Sequence, residues 1–164
     1  MTRVYFDASA LVKRYAAEDG TALVNAIFNQ IPAHQLTCGT IGVLEIVSVL
    51  VRKRNDGRLS PALFAQAMLE LHQEIVDNVD FVISAVEDSL LIEALELIGQ
   101  YNLNATDAII LKSCVQFQTA YANELVILCT SDKRLVRAAQ QQGLTVLDPE
   151  VDNLEQLDIL LKSK

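Results

Sequence analysis

The sequence predicts an α/β protein: a mostly parallel sheet of about five strands with helices on both faces. Short apolar runs alternate with longer stretches of helical periodicity from one end of the chain to the other, the pattern of strand-helix-strand units. No internal repeat, low-complexity tract or Pro/Gly/Ser linker divides the 164 residues, of which 51% are apolar. A single domain over residues 1–164, large enough for a proper core, is expected.

Residues 4–7 (VYFD) form the first strand, and Ser9 opens a helix over 9–18 that is followed by another over 21–29. The second strand is 35–38. It leads into a helix over 40–55 whose first twelve residues, TIGVLEIVSVLV, are apolar almost all round, which marks it as largely buried. Ser60 before Pro61 reads as a cap followed by Pro at the first helical position, opening a helix over 61–77. A strand at 81–84, a helix at 87–101, a helix at 105–121 and a strand at 125–130 follow. The pattern closes with a helix at 133–142, Gly143 as its C-cap and a strand at 144–147. In the tail, 150–164, Leu154, Leu157, Leu160 and Leu161 mark a short amphipathic helix docked on the body or on a partner.

Thirteen Lys and Arg against 21 Asp and Glu give a net charge of −8, which excludes a whole-protein positive field for gripping nucleic acid. Any such contact must come from a local basic patch. Cys38, Cys114 and Cys129 are odd in number, lie in apolar stretches and lack metal-binding spacing. They read as buried, reduced thiols of a cytoplasmic protein. No apolar leader follows Met1, and no stretch reaches the roughly 18 to 20 apolar residues of a membrane span. His34 and His72 form no ligand pair.

Ligands of open α/β sheets collect beyond the carboxyl ends of the strands, so acids at strand ends and helix starts come first. Asp7 ends the first strand, although an Asp there also breaks a strand and Ser9 could cap the helix. Glu45 is the only charge among residues 40–51, and a buried carboxylate must be protonated, paired or metal-bound. Ser48 and Arg52 leave open a narrow polar stripe that would bring it to the solvent edge. Asp107 lies three residues after Asn104, which also fits a capping box and a first-turn acid facing the helix dipole. Asp132 follows the strand at 125–130 and opens the next helix, where capping is again an explanation.

Capping does not explain why such acids recur at one edge. If the alternation is right, the four converge on one crevice, where carboxylates about 4 Å apart repel by roughly 4 kcal/mol per pair at an effective dielectric of about 20. Such a cluster calls for cations, and an all-oxygen set with no His or Cys beside it selects one or two Mg²⁺ or Mn²⁺ ions over Zn²⁺. Ions held this way suit phosphodiester hydrolysis. Lys13, Arg14, Arg52, Lys133 and Arg134 follow these acids along the chain and are candidate phosphate contacts, or solvated surface and dipole partners.

The residues Tyr5-Phe6-Asp7-Ala8-Ser9-Ala10-Leu11-Val12-Lys13, the lone Glu45, Thr106-Asp107-Ala108, and Thr130-Ser131-Asp132 followed by Gly143-Leu144 and Pro149 resemble PIN-domain ribonucleases. The likeness is strongest to the VapC-type toxins of toxin–antitoxin modules, and its order and spacing span residues 3–149. It implies a PIN-like three-layer sandwich. It also implies that Asp7, Glu45 and Asp107 are metal ligands, that Asp132 is the fourth acid, and that Ser9, Thr130 and Ser131 are supporting hydroxyls. Homodimers, cleavage of structured RNA such as tRNA or rRNA, and silencing by an antitoxin are expected on the same ground. The competing readings are a housekeeping nuclease that is not a toxin, and a non-catalytic PIN-like module that binds RNA or protein. A haloacid-dehalogenase-like phosphatase with Asp7 as nucleophile would need an acid two residues later, where Ser9 stands.

Overall fold

The computed structural model describes residues 1–162. Its strands are β1 (Thr2–Phe6), β2 (Leu36–Gly39), β3 (Val82–Ser84), β4 (Leu125–Cys129) and β5 (Thr145–Leu147). They form one sheet in the order β3-β2-β1-β4-β5, with every pairing parallel. Parallel neighbours cannot be joined by hairpins, so the connections are helical crossovers. These use α1 (Ala8–Leu11), α2 (Thr21–Gln30), α3 (Thr40–Asn55), α4 (Pro61–Leu71), α5 (Asp88–Tyr101), α6 (Ala105–Ala120) and α7 (Lys133–Gln141). The chain builds outward from β1 to β2 and β3, then returns to the other side of β1 for β4 and β5. The direction of winding therefore reverses beside β1, which places the expected crevice at the carboxyl ends of β1 and β4.

Side chains alternate across the sheet and split the core in two. Val4 and Phe6 of β1, with Ile127 and Cys129 of β4, pack under α1 to α4. Tyr5, Val126 and Leu128 face the opposite way, against α5, α6 and α7. The Tyr5 hydroxyl donates to Ser113 Oγ at 2.8 Å inside that second layer. Gly39 ends β2 against it: a Cβ there would lie 2.9 Å from the Tyr5 oxygen. All three cysteines are unpaired and buried. Among the described residues no helix is long and apolar enough to cross a membrane.

The first helix is shorter than its periodicity predicts. It ends at Leu11 and tightens into a 3-10 turn, Val12–Arg14. The Thr21 hydroxyl donates to the Lys13 carbonyl and accepts the Glu18 amide, both at 2.9 Å, so the helix end is satisfied by a side chain from the next helix. Gly20, at φ 90°, starts α2, and a Cβ there would come within 2.7 Å of Pro149. The helix expected over 61–77 is regular only to Leu71 and finishes as a π-helical turn, His72–Val76. Helix α3 is also less buried than its sequence predicts. It packs on α1, α4 and the sheet, burying Gly42, Ile46 and Leu50, while Leu44 on the open side is 64% exposed.

The tail folds as α8 (Leu154–Lys162) and docks on the body beside α2. Leu157 is fully buried there, with Leu160 and Leu161 packed against the same core. Residues 163–164 of the expected tail helix lie outside the described residues. Truncating Leu157 to Ala is expected to cost about 2–5 kcal/mol, because the lost methyl groups leave a cavity that rigid neighbours fill only in part. Urea denaturation followed by circular dichroism checks this; an unchanged midpoint would mean that α8 is not part of the cooperative unit.

Candidate active site

At the point where β1 and β4 end, backbone pairing hands over to side chains. The Asp7 amide donates to the Cys129 carbonyl at 3.0 Å, one rung beyond the strands, and so sets Asp7 beside Thr130. Three donors then meet on one carboxylate oxygen. Asp7 Oδ2 accepts the Ser9 hydroxyl at 2.5 Å, the Ser9 amide at 3.2 Å and the Thr130 hydroxyl at 2.9 Å. Ser9 Oγ in turn accepts the Ser131 amide at 2.9 Å, and Thr130 Oγ1 accepts the Asp132 amide at 3.2 Å. Ser131 contributes its main chain; its own hydroxyl is buried without a hydrogen-bond partner among the described residues. Asp7 is 4% exposed. Burial pushes its carboxyl above the usual range, and the hydrogen bonds from Ser9 and Thr130 oppose that rise.

Asp107 and Asp132 approach from helix N-termini. The Asn104 side chain caps α6 by accepting the Asp107 amide at 2.8 Å. The reciprocal half of a capping box is missing, and Asp107 Oδ2 is buried with no hydrogen-bond partner among the described residues. Capping therefore does not account for this carboxylate. Burial, reinforced by repulsion from Asp132 and Asp7, raises Asp107 to about 6. Asp132 does cap: its Oδ1 accepts the amides of Arg134 at 2.8 Å and Leu135 at 3.0 Å at the start of α7.

Glu45 reaches the same place from α3. Burial, then repulsion from Asp7 and Asp107, pushes it up to about 7 despite the nearby Arg52. The four acids, supplied by four separate elements, line one cavity of about 320 Å³ together with Ser9, Ser48 and Arg52. Ser48, on the polar stripe of α3, is the lining residue that chain spacing hinted at without marking as functional. The donors are all hard oxygens and one of them is an orphan, which matches the chemistry of a hard divalent cation. Among the described residues no three His, Cys, Asp or Glu side chains are already gathered into a metal-holding group.

The cations expected near the acids divide. Arg52 lines the cavity, and the Arg134 guanidinium offsets part of the repulsion felt by Asp107. Lys13 is instead buried between Glu150 at 2.7 Å and Glu18 at 3.3 Å, and Lys133 is held by Asp148 at 2.5 Å. Arg14 is turned away altogether by the 3-10 turn. It forks onto Glu74, bonds Asn25 and lies over the Phe28 ring. All three are thus paired with carboxylates of the chain, and Lys13 still lines a neighbouring cavity with Ser9, Arg52 and Asp132.

A family model described as PIN domain matches residues 4–141. Among solved structures, PAE2754 from Pyrobaculum aerophilum is similar at a TM-score of 0.62 and 19% identity, covering 98% of this chain and 96% of its own. FitAcB from Neisseria gonorrhoeae is similar at a TM-score of 0.62 and 13% identity, covering 91% and 99%. A toxin–antitoxin complex from Klebsiella pneumoniae gives a TM-score of 0.55 and 18% identity, covering 89% and 97%. None of the curated proteins compared with the chain matches it.

Burial of these acids, with repulsion among them, makes stability depend on pH. With Glu45 near 7 and Asp107 near 6, against about 4 in an unfolded chain, the folded state binds more protons than the unfolded state across that interval. In metal-free buffer stability is therefore expected to fall as pH rises from about 4 to about 7. Asp107→Asn should remove part of the fall, raising stability at pH 8 by about 1 kcal/mol after allowance for solvent screening, or about 2–4 °C in Tm. Thermal scans in EDTA at pH 5 and pH 8 check this; equal Tm values for wild type and variant at pH 8 would show that the repulsion is relieved in another way.

Proposed function

Because the chain belongs to the PIN-domain family, we propose that it is a divalent-metal-dependent endoribonuclease that cuts structured RNA of the tRNA or rRNA type. We further propose that it is the toxin of a type II toxin–antitoxin pair. The observation that carries the reading is the convergence of Asp7, Glu45, Asp107 and Asp132 on one cavity, with a buried Asp107 oxygen that has no hydrogen-bond partner among the described residues. Asp7, Glu45 and Asp107 would hold one or two Mg²⁺ or Mn²⁺ ions, with Asp132 as the fourth acid. Such ions, when bound, would supply positive charge against the scissile phosphate and make water acidic enough to attack near neutral pH.

The chain's own residues do the positioning. Ser9 and Thr130 lock the Asp7 carboxylate through one oxygen, so little reorganisation accompanies ligand binding. Burial and the neighbouring acids raise Glu45 and Asp107 while no cation is present, so both would give up their protons as an ion binds between them. Arg52 at the cavity wall offers a guanidinium fork to a phosphate.

The partners follow the same reading. The Klebsiella neighbour is a toxin–antitoxin complex, which supports a cognate antitoxin here. Ile92 and Leu95 leave apolar surface on α5 exposed, which supports a homodimer that would cover it. Three buried, unpaired thiols suit the reducing cytoplasm. Purified protein is expected to cleave folded tRNA or rRNA with Mn²⁺ or Mg²⁺, and EDTA or Asp7→Asn should lower the rate by roughly 100-fold or more. Gel analysis of RNA ends reads the result. Cleavage that survives both treatments would overturn the metal mechanism, and absent Mn²⁺ binding in calorimetry would favour a non-catalytic binding module.

A further inference from the structure

We propose that a second cavity, between the C-terminal end of α5 and α7, is a nucleotide subsite that holds a base and phosphate of the RNA beside the bond to be cut. The inference rests on the ribonuclease reading in taking RNA as the ligand. The cavity measures about 320 Å³ and is lined by Gln100, Tyr101, Asn102, Arg134, Arg137 and Gln141, with no carboxylate in its wall. Two guanidiniums, a phenol ring and three primary amides are the chemistry of phosphate contact, base stacking and base-edge hydrogen bonding.

Three observations separate this cavity from ordinary surface. The first is the state of its cations. Among the twelve described Lys and Arg residues, seven are in carboxylate ion pairs, and Arg52, Arg54, Arg134, Arg137 and Lys162 are not. Three of these five, Arg52, Arg134 and Arg137, line either the acid cavity or this one. In a chain of net charge −8, positive charge has been left unneutralised along one track.

The second is preorganisation. The Tyr101 oxygen accepts the Gln100 amide at 2.8 Å and the Gln142 amide at 2.6 Å, which fixes the ring at the end of α5 and leaves its proton to donate. Asn102 closes α5 in the left-handed conformation, φ 53°, so the chain turns away immediately after the ring. Arg137 is steadied by its Nε–H, which donates to the Lys133 carbonyl at 3.1 Å.

The third is continuity with the acids. Asp132 of the acid cavity accepts the Arg134 amide at 2.8 Å and Arg134 lines this cavity, so the two sites adjoin at the start of α7. A strand whose scissile phosphate lies over the acids would have Arg52 on the α3 side and the Arg134–Arg137 pair on the α7 side. A run of Asp and Glu would engage the guanidiniums but has no ring to stack on Tyr101, and RNA matches the whole lining.

The test uses a fluorescein-labelled single-stranded RNA hexamer, its Kd read by anisotropy in EDTA and its KM read with Mn²⁺, in a series of salt concentrations. Arg137→Gln should raise both constants about five-fold or more and flatten the plot of log affinity against log salt by about 0.7. Tyr101→Ala should raise Kd by about five-fold or more, and Tyr101→Phe, which keeps the ring, should recover most of that loss. Lys162→Gln, which removes the same charge from α8, should change none of these values. Kd and KM that match wild type in Arg137→Gln and Tyr101→Ala would overturn the subsite, as would displacement of the RNA by poly-glutamate from wild type but not from Arg137→Gln. If the hexamer binds in this way and neither it nor folded tRNA or rRNA is cut with Mn²⁺, the ribonuclease reading fails while the subsite stands. If it is cut and the variants bind normally, the subsite alone fails.

Discussion

The parallel pairing of β1 with β4 is the contact on which the remaining architecture depends, because it is made where the winding of the sheet reverses. Two strands far apart in the chain come into register from Thr2 beside Leu125 to Phe6 beside Cys129. The next residues, Asp7 and Thr130, continue the pairing through the Thr130 hydroxyl and the Asp7 carboxylate. Burying a carboxylate is costly unless donors replace the lost water. Ser9 and Thr130 supply those donors, so the group that closes the β1–β4 seam also faces the cavity with a fixed orientation.

Two of the other three acids are much less well supplied. Asp132 is satisfied by the N-terminus of α7, whereas Asp107 has a buried oxygen with no partner among the described residues and Glu45 is held near two like charges. Asp107 and Glu45 are carried by helices anchored in the core, α6 through Leu111 and Cys114, α3 through Ile46 and Leu50. The fold thus holds negative charges together against their repulsion. A site of this kind favours any cation or cationic ligand that enters it, by relief of the repulsion as much as by direct attraction.

The cations are distributed in a complementary way. Glu18 illustrates it: Lys13 and Lys53 both pair with this residue and Lys13 also pairs with Glu150, so two positive charges are matched by two carboxylates of the chain itself. Lys133 is likewise occupied by Asp148. What remains unpaired around the cavities is arginine, whose planar fork suits phosphate better than a lysine ammonium does. The global charge of −8 therefore bears on solubility and encounter rate, while local charge decides what the crevice can bind.

The strands, the order of the helices and the chain positions of the four acids were legible in the sequence, because periodicity and punctuation are local properties of a few adjacent residues. Asp7, Glu45, Asp107 and Asp132 could be selected that way since strand ends and helix starts are written locally. Their meeting at one cavity was inferable only through the topology. Other features were decided by contacts between distant segments. The 3-10 turn after α1 ends on a Lys13 carbonyl satisfied by Thr21, and α3 is exposed at Leu44 because α1, α4 and the sheet cover only one side of it. Arg14 leaves the crevice for Glu74, and Arg137 shares a cavity with Tyr101. A side chain's partner depends on which segments fold against it, so a sequence can name the acids and arginines, while only tertiary structure decides which of them are neutralised and which remain to act.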